Sequence, residues 1–192
     1  MNKLVKLPLF LGITGASCAL LLTGVYYLTN PIIINNQLTK ENKAYIDLFN
    51  DYDSSFNIEG NDLKDEDISE SLYNNGVRTI KVINKVKGKA YKCEGSGRNG
   101  IISFIVAFSN NKVIGYSNIT NSEDAGYGKE LLENKIPSLF NKGIDASKEV
   151  LTKLDYTGAT ITGNAISKVI EACRIDYLNY LKELNSWIKK VL

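Results

Sequence analysis

The chain of 192 residues contains no histidine. That absence excludes Ser-His and Cys-His catalysis, zinc sites that use imidazole, and a haem held by histidine. Any chemistry must come from carboxylates, hydroxyls, lysines or a bound cofactor, and no residue stands out as catalytic. The only cysteines are Cys18, Cys93 and Cys173, and no C-x-x-C spacing joins them, which argues against a zinc knuckle or an iron-sulfur cluster. Cys18 lies in an apolar segment. Cys93 and Cys173 are either buried free thiols or one disulfide, and the thiol reading is preferred because free cysteine behaves as a small hydrophobe. Charge of one sign is lacking too: acids and bases nearly cancel to a formal net charge of +2, so there is no electrostatic case for a nucleic-acid partner.

What is present begins with an apolar run. From Leu7 to Thr29 there is no charged residue, and at about 1.5 Å per residue a helix of that length crosses a hydrocarbon core of about 30 Å. The run continues through Leu20, Leu21, Leu22 and Val25, beyond the short apolar region of a cleaved signal peptide, so an uncleaved anchor fits better. Cys18 after Gly15-Ala16-Ser17 resembles a lipoprotein cleavage site only faintly, since more membrane-type sequence follows. Tyr26 and Tyr27 suit an interfacial belt. Gly12 and Ala16 form a small-xxx-small pair for helix packing, or are simply small residues facing lipid. Lys3 and Lys6 precede the span and an uncharged stretch to Thr39 follows it, which places the N-terminus in the cytoplasm and everything after residue 30 outside.

The expected organisation is a cytoplasmic N-terminus over 1–6, a transmembrane helix over 7–29, a juxtamembrane stalk with a helix over 30–75, and a globular domain over 76–192. In the stalk, Tyr45, Leu48, Phe49 and Tyr52 recur at helical spacing. Asp62, Asp65, Glu66, Asp67 and Glu70 lack the order of a calcium loop and read as a solvated acidic face. No metal site is expected. Val77 to Val86 and Ala90 to Glu94 read as strands split by Lys87-Gly88. Gly95, Gly97 and Gly100 then make a glycine-rich turn that is no phosphate loop, because an apolar strand, Ile101 to Phe108, follows in place of G-K-[ST] and a helix. That strand is apolar throughout and belongs in the centre of a sheet, joined by Ser109-Asn110-Asn111-Lys112 to a partner strand from Val113 to Thr120. Leu131, Leu132, Ile136, Leu139 and Phe140 mark a short helix interrupted by Pro137, and Ile166, Val169, Ile170, Cys173, Tyr177, Leu181 and Leu184 mark a long one. The fold class is α+β, with a twisted, largely antiparallel sheet packed by helices and preceded by one transmembrane helix.

Just before the long helix stands Asp155-Tyr156-Thr157-Gly158-Ala159-Thr160-Ile161-Thr162. With it, Lys112-Val113-Ile114-Gly115-Tyr116 and Ser122-Glu123-Asp124-Ala125-Gly126-Tyr127-Gly128 form a strand followed by a loop at the expected distance upstream. These blocks resemble the [ST]-G-A-T-x-[ST] motif and the S-E-T-P-G-x-G loop of the FMN-binding domain family, as found in the G subunit of Rnf-type electron-transport complexes and the C subunit of sodium-pumping NADH:quinone reductases. The resemblance covers roughly Tyr91 to Ile175.

The resemblance implies an FMN joined by a phosphoester to the hydroxyl of Thr160, put there by a separate flavin transferase. It also implies cofactor contacts at Glu123, Gly126, Tyr127, Gly128, Thr157, Gly158, Ala159 and Thr162. By the same likeness the chain is an electron carrier with other membrane subunits as partners, not an enzyme alone, with its domain outside the cell membrane. A stand-alone flavoprotein for extracellular electron transfer, and a flavin-free surface module in which TGATIT only caps a helix, are the competing expectations. The physical logic agrees with the family: Gly158 and Ala159 leave room for a phosphate, and the amides and dipole of the following helix favour an anion. The sequence departs from the family at Asp124 and Ala125, where Thr-Pro is usual, at Asp155, one residue closer to the threonine than the usual acid, and at Gly163 in place of serine.

Overall fold

The computed structural model describes residues 3–147 and 158–191. The chain divides into two compact units, Met1–Asn42 and Lys43–Leu192. Helix α1 (Lys3–Tyr52) supplies the first unit and continues into the second. Pro31 does not end it, and the helical spacing read at Tyr45–Tyr52 falls in the last part of α1. In the first unit Leu11, Leu20, Leu21, Leu22 and Val25 are all exposed. The hydroxyls of that segment donate back along the helix, Thr14 Oγ1 to Phe10 O at 3.0 Å, Ser17 Oγ to Ile13 O at 2.8 Å and Thr29 Oγ1 to Val25 O at 2.8 Å. Each is thereby satisfied without water, which an apolar surround requires. Among the described residues, one helix is long and apolar enough to cross a membrane.

The second unit is built on a six-stranded antiparallel meander whose order follows the sequence, β1 (Lys64–Glu66), β2 (Val77–Ile83), β3 (Gly88–Ser96), β4 (Ile101–Ser109), β5 (Lys112–Thr120) and β6 (Ile144–Asp145). Strand β4 lies between β3 and β5 and is covered on both faces, which explains its unbroken apolar run. Ile102, Phe104, Val106 and Phe108 point to one core, and Ile105 and Ala107 to the other. At the hairpin between β4 and β5, Asn110 and Asn111 have φ of 49° and 62°, the left-handed pair of a two-residue turn that matches strand twist.

On one face of the sheet, Tyr45 and Phe49 from the end of α1 pack with Ile58, Ile83, Ile105 and Ile114. On the other lie α2 (Glu70–Asn74), a contiguous run made of α3 (Gly128–Glu130), a π-helical turn (Leu131–Lys135) and α4 (Ile136–Phe140), and the long α5 (Thr160–Val191). Pro137 falls where the π-helical turn gives way to α4, and the helical run continues through it. The ring of Tyr177 stacks on Phe108 at 5.2 Å and that of Tyr116 on Phe104 at 5.3 Å. Cys93 and Cys173 are buried free thiols with sulfurs 3.5 Å apart, and burial, then the neighbouring Cys93, pushes the Cys173 thiol up.

The acidic stretch is exposed, as expected, but Lys64–Glu66 form an edge strand. Two of its carboxylates reach lysines, Asp65 Oδ1 to Lys81 Nζ at 2.6 Å and Glu66 Oε2 to Lys89 Nζ at 2.7 Å. Lys89 is almost fully buried and also meets Asp176 Oδ2 at 3.0 Å, an oxygen that accepts from the Tyr91 hydroxyl at 2.7 Å. A buried ammonium needs this pairing, and the result is a polar clasp from β1 through β3 to α5. No group of metal-binding residues occurs among the described residues.

Candidate functional site

Helix α5 opens at Thr160, and the Gly163 amide donates to Ala159 O at 2.8 Å, so Ala159 is the capping residue. The amides of a helix's first turn have no intrahelical acceptor and carry the positive end of its dipole, which makes this end of α5 suited to an anion. The two threonines of the motif are placed differently. Thr160 is exposed, whereas Thr162 is 1% exposed and its Oγ1 donates to Glu123 Oε2 at 2.6 Å.

Three segments converge on that helix end and enclose a cleft of about 230 Å³. The turn between β3 and β4 contributes Arg98. The loop between β5 and α3 contributes Glu123, Asp124, Tyr127 and Gly128. The start of α5 contributes Gly158 to Thr162. Glu123 ties the three together, because its Oε1 also accepts the Asn99 amide at 3.0 Å. Its own amide donates to Asn121 Oδ1 at 3.2 Å. The glycines around it leave room for this carboxyl group: a Cβ at Gly97 or at Gly128 would fall on Glu123 side-chain oxygens. Gly158 has φ of +82° and a Cβ there would fall on the Tyr127 ring, so glycine is required both by conformation and by space. The Tyr127 ring and Ile161 are exposed at the mouth. A larger cleft of about 330 Å³ between the end of α1 and β5 carries Asp47 and Asp51, a poor setting for a phosphate.

Of the residues expected from sequence, Glu123, Tyr127, Gly128, Gly158, Ala159, Thr160 and Thr162 line one cleft. Gly126 adopts φ of +89° in the same loop but does not line it. Thr157 and Asp155 lie outside the described residues. Arg98, Asp124 and Ile161 line the cleft as well, and the sequence reading assigned none of them to the site. The signal for Arg98 was the turn of Gly95, Gly97 and Gly100, which fails as a phosphate loop yet still brings backbone and side chain to the helix end.

All three segments fall inside residues 97–174, which match the family model of the FMN-binding domain. The matched residues contain both motif blocks that carry the resemblance in sequence. Over 178 residues it is 27% identical to the G subunit of the proton-translocating ferredoxin:NAD(+) oxidoreductase complex of Clostridium ljungdahlii, with 88% of this chain and 89% of that protein covered. The residues present fit a flavin phosphate: a helix end with an exposed threonine, a cradle that a side chain at Gly158 would fill, and one cation at the rim.

Proposed function

We propose that the chain is a membrane-anchored, extracytoplasmic electron carrier that holds FMN as a phosphoester on Thr160 and works as one subunit of an Rnf-like electron-transport complex. The observation that carries the attachment site is the contrast between the two threonines. Thr160 presents its side chain to solvent at the helix end, where a second protein can reach it, while the Thr162 hydroxyl is buried and engaged by Glu123. Attachment would join Thr160 Oγ to the phosphorus of an activated flavin nucleotide, with the bond from phosphorus to the leaving nucleotide broken and the hydroxyl proton taken by a base. A flavin transferase supplies the base, so none is needed in this cleft.

Once bound, the isoalloxazine supplies one- and two-electron redox chemistry, and the protein supplies position and electrostatics. The helix end holds the phosphate charge, and Glu123 fixes the cleft walls. Anchoring through the apolar part of α1, with Lys3 and Lys6 on the cytoplasmic side, keeps the carrier at the membrane. The subunit role rests on the relative, whose name describes a complex that translocates protons; electrons would pass through this chain while ion movement occurs in polytopic partners.

The test is coexpression of the full chain with a flavin transferase, followed by denaturing electrophoresis under ultraviolet light. The expected outcome is a fluorescent band for the wild-type chain and for Thr162→Val, and none for Thr160→Val although that variant folds. Fluorescence that follows Thr162 would move the site, and a dark wild-type band would leave a flavin-free surface module. Copurification with polytopic subunits separates the complex from a stand-alone carrier.

A further inference from the structure

Within the described residues, Arg98 is the one cationic side chain lining the cleft, and it shares that lining with two carboxylates, Glu123 and Asp124. It is exposed and makes no hydrogen bond or ion pair among the described residues. Its backbone is nonetheless held. Gly97 N donates to Gly100 O at 2.8 Å across the turn, and the next residue, Asn99, donates its amide to Glu123 Oε1 at 3.0 Å. The guanidinium therefore extends from a fixed point beside the end of α5, with no ion-pair partner among the described residues.

A phosphodiester brought to Thr160 adds a negative charge to a cleft that already carries Glu123 and Asp124. Part of the donor capacity that sequence suggests for it is already taken, because the Thr162 hydroxyl is committed to Glu123. Helix amides alone would face the combined charge of a phosphate and two carboxylates. A guanidinium offers planar paired donors that match phosphate oxygens.

We propose that Arg98 is the counter-charge for the flavin phosphodiester, a binding residue whose partner arrives only with the cofactor. This rests on attachment at Thr160 and names the residue that makes the acidic cleft tolerate a phosphate. Lys129, the cation just beyond the loop, meets Glu133 at 4.0 Å and does not line the cleft.

A thermal cycle with two protein forms tests it. The full chain in detergent is prepared with and without transferase, as wild type, Arg98→Gln and Arg98→Lys. Because Arg98 has no partner among the described residues, Arg98→Gln leaves the melting temperature of the unmodified chain unchanged. It lowers that of the flavinylated chain by about 3 °C, the scale of one charge-assisted contact in a domain this size. Arg98→Lys restores about half of that loss, and raising salt from about 50 mM to about 500 mM shrinks the difference, since exposed charges are screened. Equal losses in both forms would make Arg98 a structural residue, and no loss in either would make it an ordinary solvated side chain; each overturns the proposal. A wild-type chain that takes no flavin removes the ligand and overturns it together with the functional reading, a result told apart from the others by its single, unmodified mass.

Discussion

Thr162 Oγ1 donates a 2.6 Å hydrogen bond to Glu123 Oε2, across 39 residues of sequence, while the other oxygen of the same carboxylate accepts the Asn99 amide. One half-buried side chain thus fastens the loop after β5 to both the helix start and the turn after β3. Thr162→Val keeps the shape of the buried side chain but removes a donor to a charged acceptor, a change worth about 2 kcal/mol. The expected result is a lower urea midpoint with an unaltered slope, and retention of flavin on Thr160. An unchanged midpoint would show that the bond adds nothing to the stability of the folded chain.

Gly158→Ala tests the cradle. The substitution forces alanine to φ of +82° and sets its methyl group against the Tyr127 ring. Backbone strain of this kind costs about 1 kcal/mol or more, and the steric part adds to it. Tyr127→Ala removes the steric part alone, so the double variant recovers some of the stability that Gly158→Ala loses. Melting temperatures for the four proteins of the cycle give the coupling directly. Strict additivity of the two single changes would mean that the loop yields and that the ring does not shape the cleft.

Most of the sheet was legible from residue pattern. The apolar run of β4 placed it in the centre, and Asn110-Asn111 marked the hairpin because asparagine tolerates left-handed backbone. Strand β1 was not legible: Lys64, Asp65 and Glu66 are all exposed and show no alternation, and they join the sheet through their ladder with β2, with Lys81 and Lys89 meeting two of their carboxylates. Strand β6 has two residues, too few for any periodicity. Pro31 lies inside α1, since a helix can lose one bond and continue. In the cleft, the motif around Thr160 was legible as a local string. The engagement of Thr162 by Glu123 and the approach of Arg98 depend on distant segments meeting at a helix end, and local spacing does not encode that.

Alkaline pH tests the core between the sheet and α5 through Tyr177. Its hydroxyl donates to Lys87 O at 3.1 Å and accepts from the Asn111 amide at 3.3 Å, and its ring lies on Phe108. Burial raises this phenol to about 12, the Asn111 amide pulling slightly the other way. The unfolded chain releases the same proton near pH 10. Because the folded state holds the proton more tightly, the contribution is fully present below pH 10 and disappears as pH rises to 12, at most about 2 to 3 kcal/mol. Burial raises Tyr91 in the same direction, with Asp176 adding to it, so the wild-type chain loses stability steeply over this window. Tyr177→Phe is less stable at pH 8, since the Lys87 carbonyl loses its donor, by about 1 to 3 kcal/mol. It also has one fewer proton to lose. Urea midpoints measured from pH 8 to pH 12 should therefore converge, with the gap between wild type and variant narrowing above pH 10. Parallel curves would show that Tyr177 titrates alike in the folded and unfolded chains, and that its burial does not hold the proton.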